Sequence, residues 1–126
     1  MAMKYKTIAP LALTAALVIA MLPQLAQADL VGASGKVTMI RIHELGTKYG
    51  PHSDQIDVEV VFKLSGHPDK AFGFQLRDDI NLYVRQGMLA LLRDAMAHDW
   101  TVQVQYFTPQ EFPKKNVTVY RLIVTK

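Results

Sequence analysis

Cysteine is absent from all 126 residues. That absence excludes disulfides, a thiolate nucleophile, cysteine metal sites and the lipid-bearing cysteine of a lipoprotein leader. Serine occurs only at Ser34, Ser53 and Ser65, and none of the three lies in a nucleophile-elbow pattern or beside a suitable base. No glycine-rich loop of the phosphate-cradling kind is present. His43, His52, His67 and His98 form neither an HExxH motif nor a compact ligand triad. With the usual routes to metal, nucleophilic and nucleotide chemistry missing, we expect a protein that is not an enzyme. It should carry no catalytic residues, no metal and no cofactor.

What is present begins with Lys4 and Lys6, which lead into an apolar run from Ile8 to Leu22 and then Pro23-Gln24-Leu25-Ala26-Gln27-Ala28. A positive start, an apolar helix, a helix-ending proline and an Ala-x-Ala step are the parts of a secretory signal peptide. The run of about 15 residues is shorter than the roughly 20 that a spanning helix needs. We therefore expect cleavage after Ala28, leaving residues 29–126 as a single domain, periplasmic or secreted. Loss of Lys4 and Lys6 takes the 14 Lys and Arg to 12 against 11 Asp and Glu, so the mature part is close to neutral. Such a domain lacks the broad positive field that draws a protein onto nucleic acid or anionic lipid, and we expect no nucleic-acid partner. No second apolar run is long enough to span a membrane.

Alternation of apolar and polar residues marks the strands. Small residues through Gly32 and Gly35 read as a lead, and Lys36 to His43 as a first strand. Gly46, Gly50 and Pro51 break both periods and predict a loop. Ile56, Val58, Val60, Phe62 and Leu64 then share one face of a second strand, with Asp57, Glu59, Val61 and Lys63 on a mostly wet face. Ser65 to Asp69 predicts a turn, and Phe72, Phe74 and Leu76 one side of a third strand, closing a hairpin. Gly73, between the two phenylalanines, suits a bulge or a close approach.

The period next shifts to about 3.6, with Val84, Met88, Leu91, Leu92 and Ala95 on one stripe. A helix is predicted from about Ile80 to Ala97, capped by Asp78, Asp79 and Asn81 and ended by His98-Asp99. Val102, Val104 and Tyr106 mark a fourth strand, and Val117 to Val124 a fifth. Trp100, at the helix exit, is placed to seal the base of the fold.

The resulting order, β-β-β-α-β-β, is that of a mainly β protein with one helix, the OB-fold, a five-stranded Greek-key barrel. With Phe74-Gln-Leu76, Met88-Leu-Ala-Leu-Leu-Arg-Asp-Ala95 and Thr101-Val-Gln-Val-Gln-Tyr106 in this sequence, the chain resembles the small exported B subunits of AB5 toxins, the subtilase-cytotoxin and pertussis-like group. What the resemblance implies is self-association into a pentameric ring that binds a glycan or host surface. The alternative is a monomeric periplasmic OB-fold accessory or stress protein that binds a protein or small ligand.

OB barrels bind through the face of their second and third strands and through the loops joining strands one to two and four to five. Here the first loop holds Lys48, Tyr49 and His52, and the second holds Phe107, Gln110, Phe112, Lys114 and Lys115. Aromatic faces mixed with hydrogen-bond donors suit sugars and nucleotides alike, and these residues form the predicted ligand site. The competing reading folds the same aromatics back over the barrel ends. Asp57 and Glu59 could serve as an acid and base pair, but charges on an outer strand face also guard against edge pairing.

Overall fold

The computed structural model describes residues 2–3, 28–108 and 115–126. The expected leader, residues 1–28, lies almost wholly outside the described residues. The elements are β1 (Asp29–Ile42), a short 3-10 helix (His52–Asp54), β2 (Val60–Leu64), β3 (Ala71–Phe74), α1 (Leu82–His98), β4 (Thr101–Thr108), β5 (Asn116–Thr118) and β6 (Arg121–Thr125). They form a mainly β fold with one helix. The strands make a single curled sheet in the order β5-β3-β2-β1-β4-β6.

β1 is the axis of that curl. Its first half, Asp29 to Lys36, pairs antiparallel with β4, and its second half, from Val37, pairs antiparallel with β2 after a register shift between Val37 and Met39. The strand thus begins at Asp29, not at Lys36. Glycine, alanine and serine read as a lead outside the strand because they add little strand propensity, yet small side chains suit a strand that changes partners in a tight bend.

The predicted fifth strand divides in two. β5 runs parallel to β3 and β6 antiparallel to β4. Between them Val119 donates its N–H to the Gly73 carbonyl at 2.8 Å and Tyr120 donates to Gln105 at 2.8 Å. One continuous segment therefore joins the two outer strands of the curled sheet. Apolar alternation could not reveal the division, since it lies in a change of hydrogen-bonding partner.

Inside the curl, Phe62, Phe72 and Phe74 meet Val102, Val104 and Tyr106, with Met88, Leu92 and Ala95 of α1 closing one side. Trp100 packs half-buried against this cluster, as expected. Gly73 is a tight point: a Cβ there would stand 2.5 Å from Val58 Cγ2 and 2.6 Å from the Val60 carbonyl. Its missing side chain serves a close approach, since β3 keeps unbroken register with β2 through Val60–Phe74, Val61–Gly73 and Phe62–Phe72.

The predicted second strand from Ile56 is regular only from Val60. Ile56 instead bridges back to Tyr49, and Ile56, Val58, Val61 and Ala71 form a second buried cluster with Met39 and Tyr49 against it. The connection after β1 thus folds over the outer face of the sheet, which makes that face dry at Val61. Glu59, expected on a wet face, is also buried. The helix begins at Leu82 and ends at His98, capped by Asp99, a residue in the left-handed region at φ 55°. Asn81 makes no side-chain cap; Asp79 instead accepts from the Asn81 N–H at 2.7 Å and pairs with Arg85 at 2.9 Å. Val84 and Leu91, predicted on the apolar stripe, are exposed.

Candidate functional site

The connection after β1 and the segment entering β5 meet on the outer face of the sheet. Asp54, at the end of the 3-10 helix, joins them: its carboxylate accepts from the Lys115 N–H at 2.8 Å and from the Asn116 N–H at 3.4 Å. The Asn116 side-chain amide donates back to the Asp54 carbonyl. Gly50 permits this approach, because its φ is 105° and a Cβ there would collide with the Asn116 amide.

Beside this junction lies a cleft of about 370 Å³ lined by Tyr49, Asp54, Lys63, Lys70, Lys115 and Asn116. A second cavity of about 360 Å³, walled by Asp57, Gln75, Arg85 and Thr118, shares Asn116 with it. Lys63 projects from the outer face of β2, and Lys70 enters β3 with its ammonium 5.7 Å from the Tyr106 ring. Asp69 also borders the cleft. Lys63, Lys70 and Lys115 face Asp54 and Asp69 in this lining, three positive charges against two negative, so the balance of the cleft is slightly positive.

The predicted binding residues separate. Tyr49 lines the cleft but is half-buried, with the Arg41 guanidinium 5.5 Å from its ring and His43 at 5.9 Å. Lys48 and His52 are exposed on the same connection. Phe107 stands elsewhere, opposite Leu30 in the β1–β4 ladder and edge-on to Tyr120 at 4.8 Å. Gln110, Phe112 and Lys114 lie outside the described residues. Sequence reasoning missed Lys63, Lys70 and Asn116 as cleft residues. Outward parity on β2 was the available signal for Lys63; the others depend on long-range pairing.

The loop that carries Tyr49 is held by a buried carboxylate. Glu59, 1 % exposed, accepts from the Leu76 N–H at 2.9 Å, from Arg77 Nε at 3.0 Å and from the Gly46 N–H at 3.3 Å. Arg77 spans from Glu59 to Asp57, 2.7 Å away. Burial of the Glu59 carboxyl pushes its pKa up, but the Leu76 N–H, the Arg77 hydrogen bond, the Gly46 N–H and the Arg77 charge outweigh that and hold it below its ordinary value. Hydrogen bonding to Asp57 and then to Glu59 raises Arg77 further. The pair is therefore ionised throughout the neutral range, and its place is to pin Gly46 and the segment after β3 together.

His43 packs beside this network, yet Glu59 accepts from Gly46, Leu76 and Arg77 and not from the imidazole; His43 Nε2 is buried with no partner among the described residues. Among the described residues no three His, Asp or Glu side chains gather as a metal site would need, and no helix is long and apolar enough to cross a membrane. Compared with protein-family models, with curated proteins and with solved structures, the chain finds no match in any of the three.

Proposed function

We propose that this chain is an exported, non-catalytic binding protein, an OB barrel that self-associates and recognises a glycan or host-surface ligand at the lysine-lined cleft. The barrel reading is supported by the strand pairings. With β5 and β6 counted as one bent strand, the partners run β1-β2-β3, then β3 parallel to the last strand, then β4, and back to β1, with the helix between the third and fourth strands. This circuit of partners supports an OB barrel over an open sheet.

One observation carries the binding reading: the two connections through which such barrels bind converge here, Asp54 of one bonded to Lys115 and Asn116 of the other beside the cleft. Half-buried Tyr49 offers a limited ring face, and Lys63, Lys70 and Lys115 offer charge-assisted hydrogen bonds. Together these favour a sugar that carries a carboxylate or sulfate over a neutral one. The test is a glycan array probed with the protein and with Lys63→Glu, whose side chain is partly exposed and dispensable to the core. Enrichment of acidic glycans, lost at least about tenfold in the variant, is the expected result. Binding to no glycan, or binding indifferent to Lys63→Glu, refutes the assignment.

A further inference from the structure

A second surface lies away from the cleft. On α1, Met88, Leu92 and Ala95 are buried, whereas Ile80, just before the helix, and Tyr83 are 94 % and 84 % exposed and Val84 and Leu91 are exposed beside them. Val84 and Tyr120 flank a shared cavity of about 160 Å³, and the Tyr120 ring meets Phe107. Across that cavity, which Asn81 and Arg85 also line, the apolar surface of the helix borders that of β4. At about 100 Å² for each of these large side chains the two together reach roughly 600 Å², the upper end of what a monomer exposes and close to one side of a standard interface.

Gly87 gives a second, independent observation. It lies in the middle of this face, where glycine is a poor helix former. A Cβ built on it meets nothing within 4 Å, so among the described residues no contact within the protomer requires glycine there. Counted from Gly87, Val84 and Ala90 stand three residues to either side, and Tyr83 and Leu91 four. An antiparallel crossing at Gly87 would set Val84 against Ala90 of the second copy and Tyr83 against its Leu91, with the absent side chain letting the helices approach closely. The same crossing sets Asp94 against Ile80 and Arg93 against Asn81, so like charges are not opposed. Arg85 is held within its own protomer by Asp79, at 2.9 Å.

We propose that the exposed face of α1, centred on Gly87, is a two-fold interface with a second copy of this chain. The inference rests on the self-association proposed above and adds its surface and its symmetry. An isologous contact of this kind closes as a dimer.

The test is light scattering coupled to size exclusion on the protein expressed from the full chain, beside Gly87→Gln and Tyr83→Lys, with thermal melts followed by circular dichroism. Both substitutions sit in open solvent on the protomer, so folding is preserved. The expected result is a dimer whose half-association concentration rises at least about tenfold in either variant, with Gly87→Gln melting no lower at matched monomer concentration. A monomer at every concentration overturns self-association and this interface together. A dimer that both variants leave intact, or a ring of five, which isologous contacts cannot build, overturns the interface alone.

Discussion

Replacing Glu59 with alanine removes the buried carboxylate that joins the β1–β2 connection to both Leu76 and Arg77 after β3. The Leu76 and Gly46 N–H groups lose their acceptor, and Arg77 keeps only Asp57. A buried polar group left without a partner costs about 1–3 kcal/mol, and breaking a fully buried ion pair costs about 3–5 kcal/mol. Gly46 is exposed and Arg77 is partly so, which lets water replace some of the lost bonds. We therefore expect a loss of about 2–3 kcal/mol. For a domain of this size that lowers the thermal midpoint by roughly 10–20 °C. Differential scanning calorimetry on wild type and Glu59→Ala measures it. Glu59→Gln keeps an acceptor oxygen and should lose about half as much. A shift below about 3 °C in Glu59→Ala would refute the claim that this carboxylate fastens the loop.

Other outcomes follow from the same geometry. Because folding holds the Glu59 pKa below its ordinary value, its contribution is fully present above the unfolded carboxylate range and is lost as pH falls through the folded value; the melting points of wild type and Glu59→Ala should converge below about pH 4, and a constant gap down to pH 2 would contradict this. Gly73→Ala places a methyl 2.5 Å from Val58 Cγ2 and 2.6 Å from the Val60 carbonyl, and urea unfolding should read a loss of about 2–3 kcal/mol; a neutral effect would mean β2 and β3 are not so closely apposed. Gly87→Ala, with open space around it, should raise the stability of the dilute protomer by about 0.5–1 kcal/mol in the same assay. A loss there would mean that the position is packed within the protomer.

The sequence was most legible where one period ran undisturbed. Val102, Val104 and Tyr106 alternate cleanly and are buried in β4, and Met88, Leu92 and Ala95 turn inward at helical spacing. Phe72 and Phe74 were equally plain. Illegible were features created by distant segments. Glu59 looks like a surface charge until Arg77 and the Leu76 N–H reach it from beyond β3, and Val61 looks half-wet until Ile56 and Tyr49 fold over it. The same fold-back explains the candidate site. Aromatic content pointed to Tyr49 and Phe107 together, but Phe107 belongs to the β4 surface near Tyr120, while Tyr49 is joined by lysines whose neighbours only the sheet pairing brings near. Val84 and Leu91 fitted the core stripe by spacing alone, yet α1 turns them outward because the curled sheet presents it with only a narrow contact.

The most direct test of the binding account is hydrogen–deuterium exchange on the protein with and without an acidic glycan selected from the array. The account predicts slowed exchange at Tyr49 to Asp54, at Lys70 and Ala71, and at Lys115 and Asn116, with α1 unchanged by ligand. Protection confined to α1, Phe107 and Tyr120, with the Asp54–Lys115 junction unaffected, would contradict it.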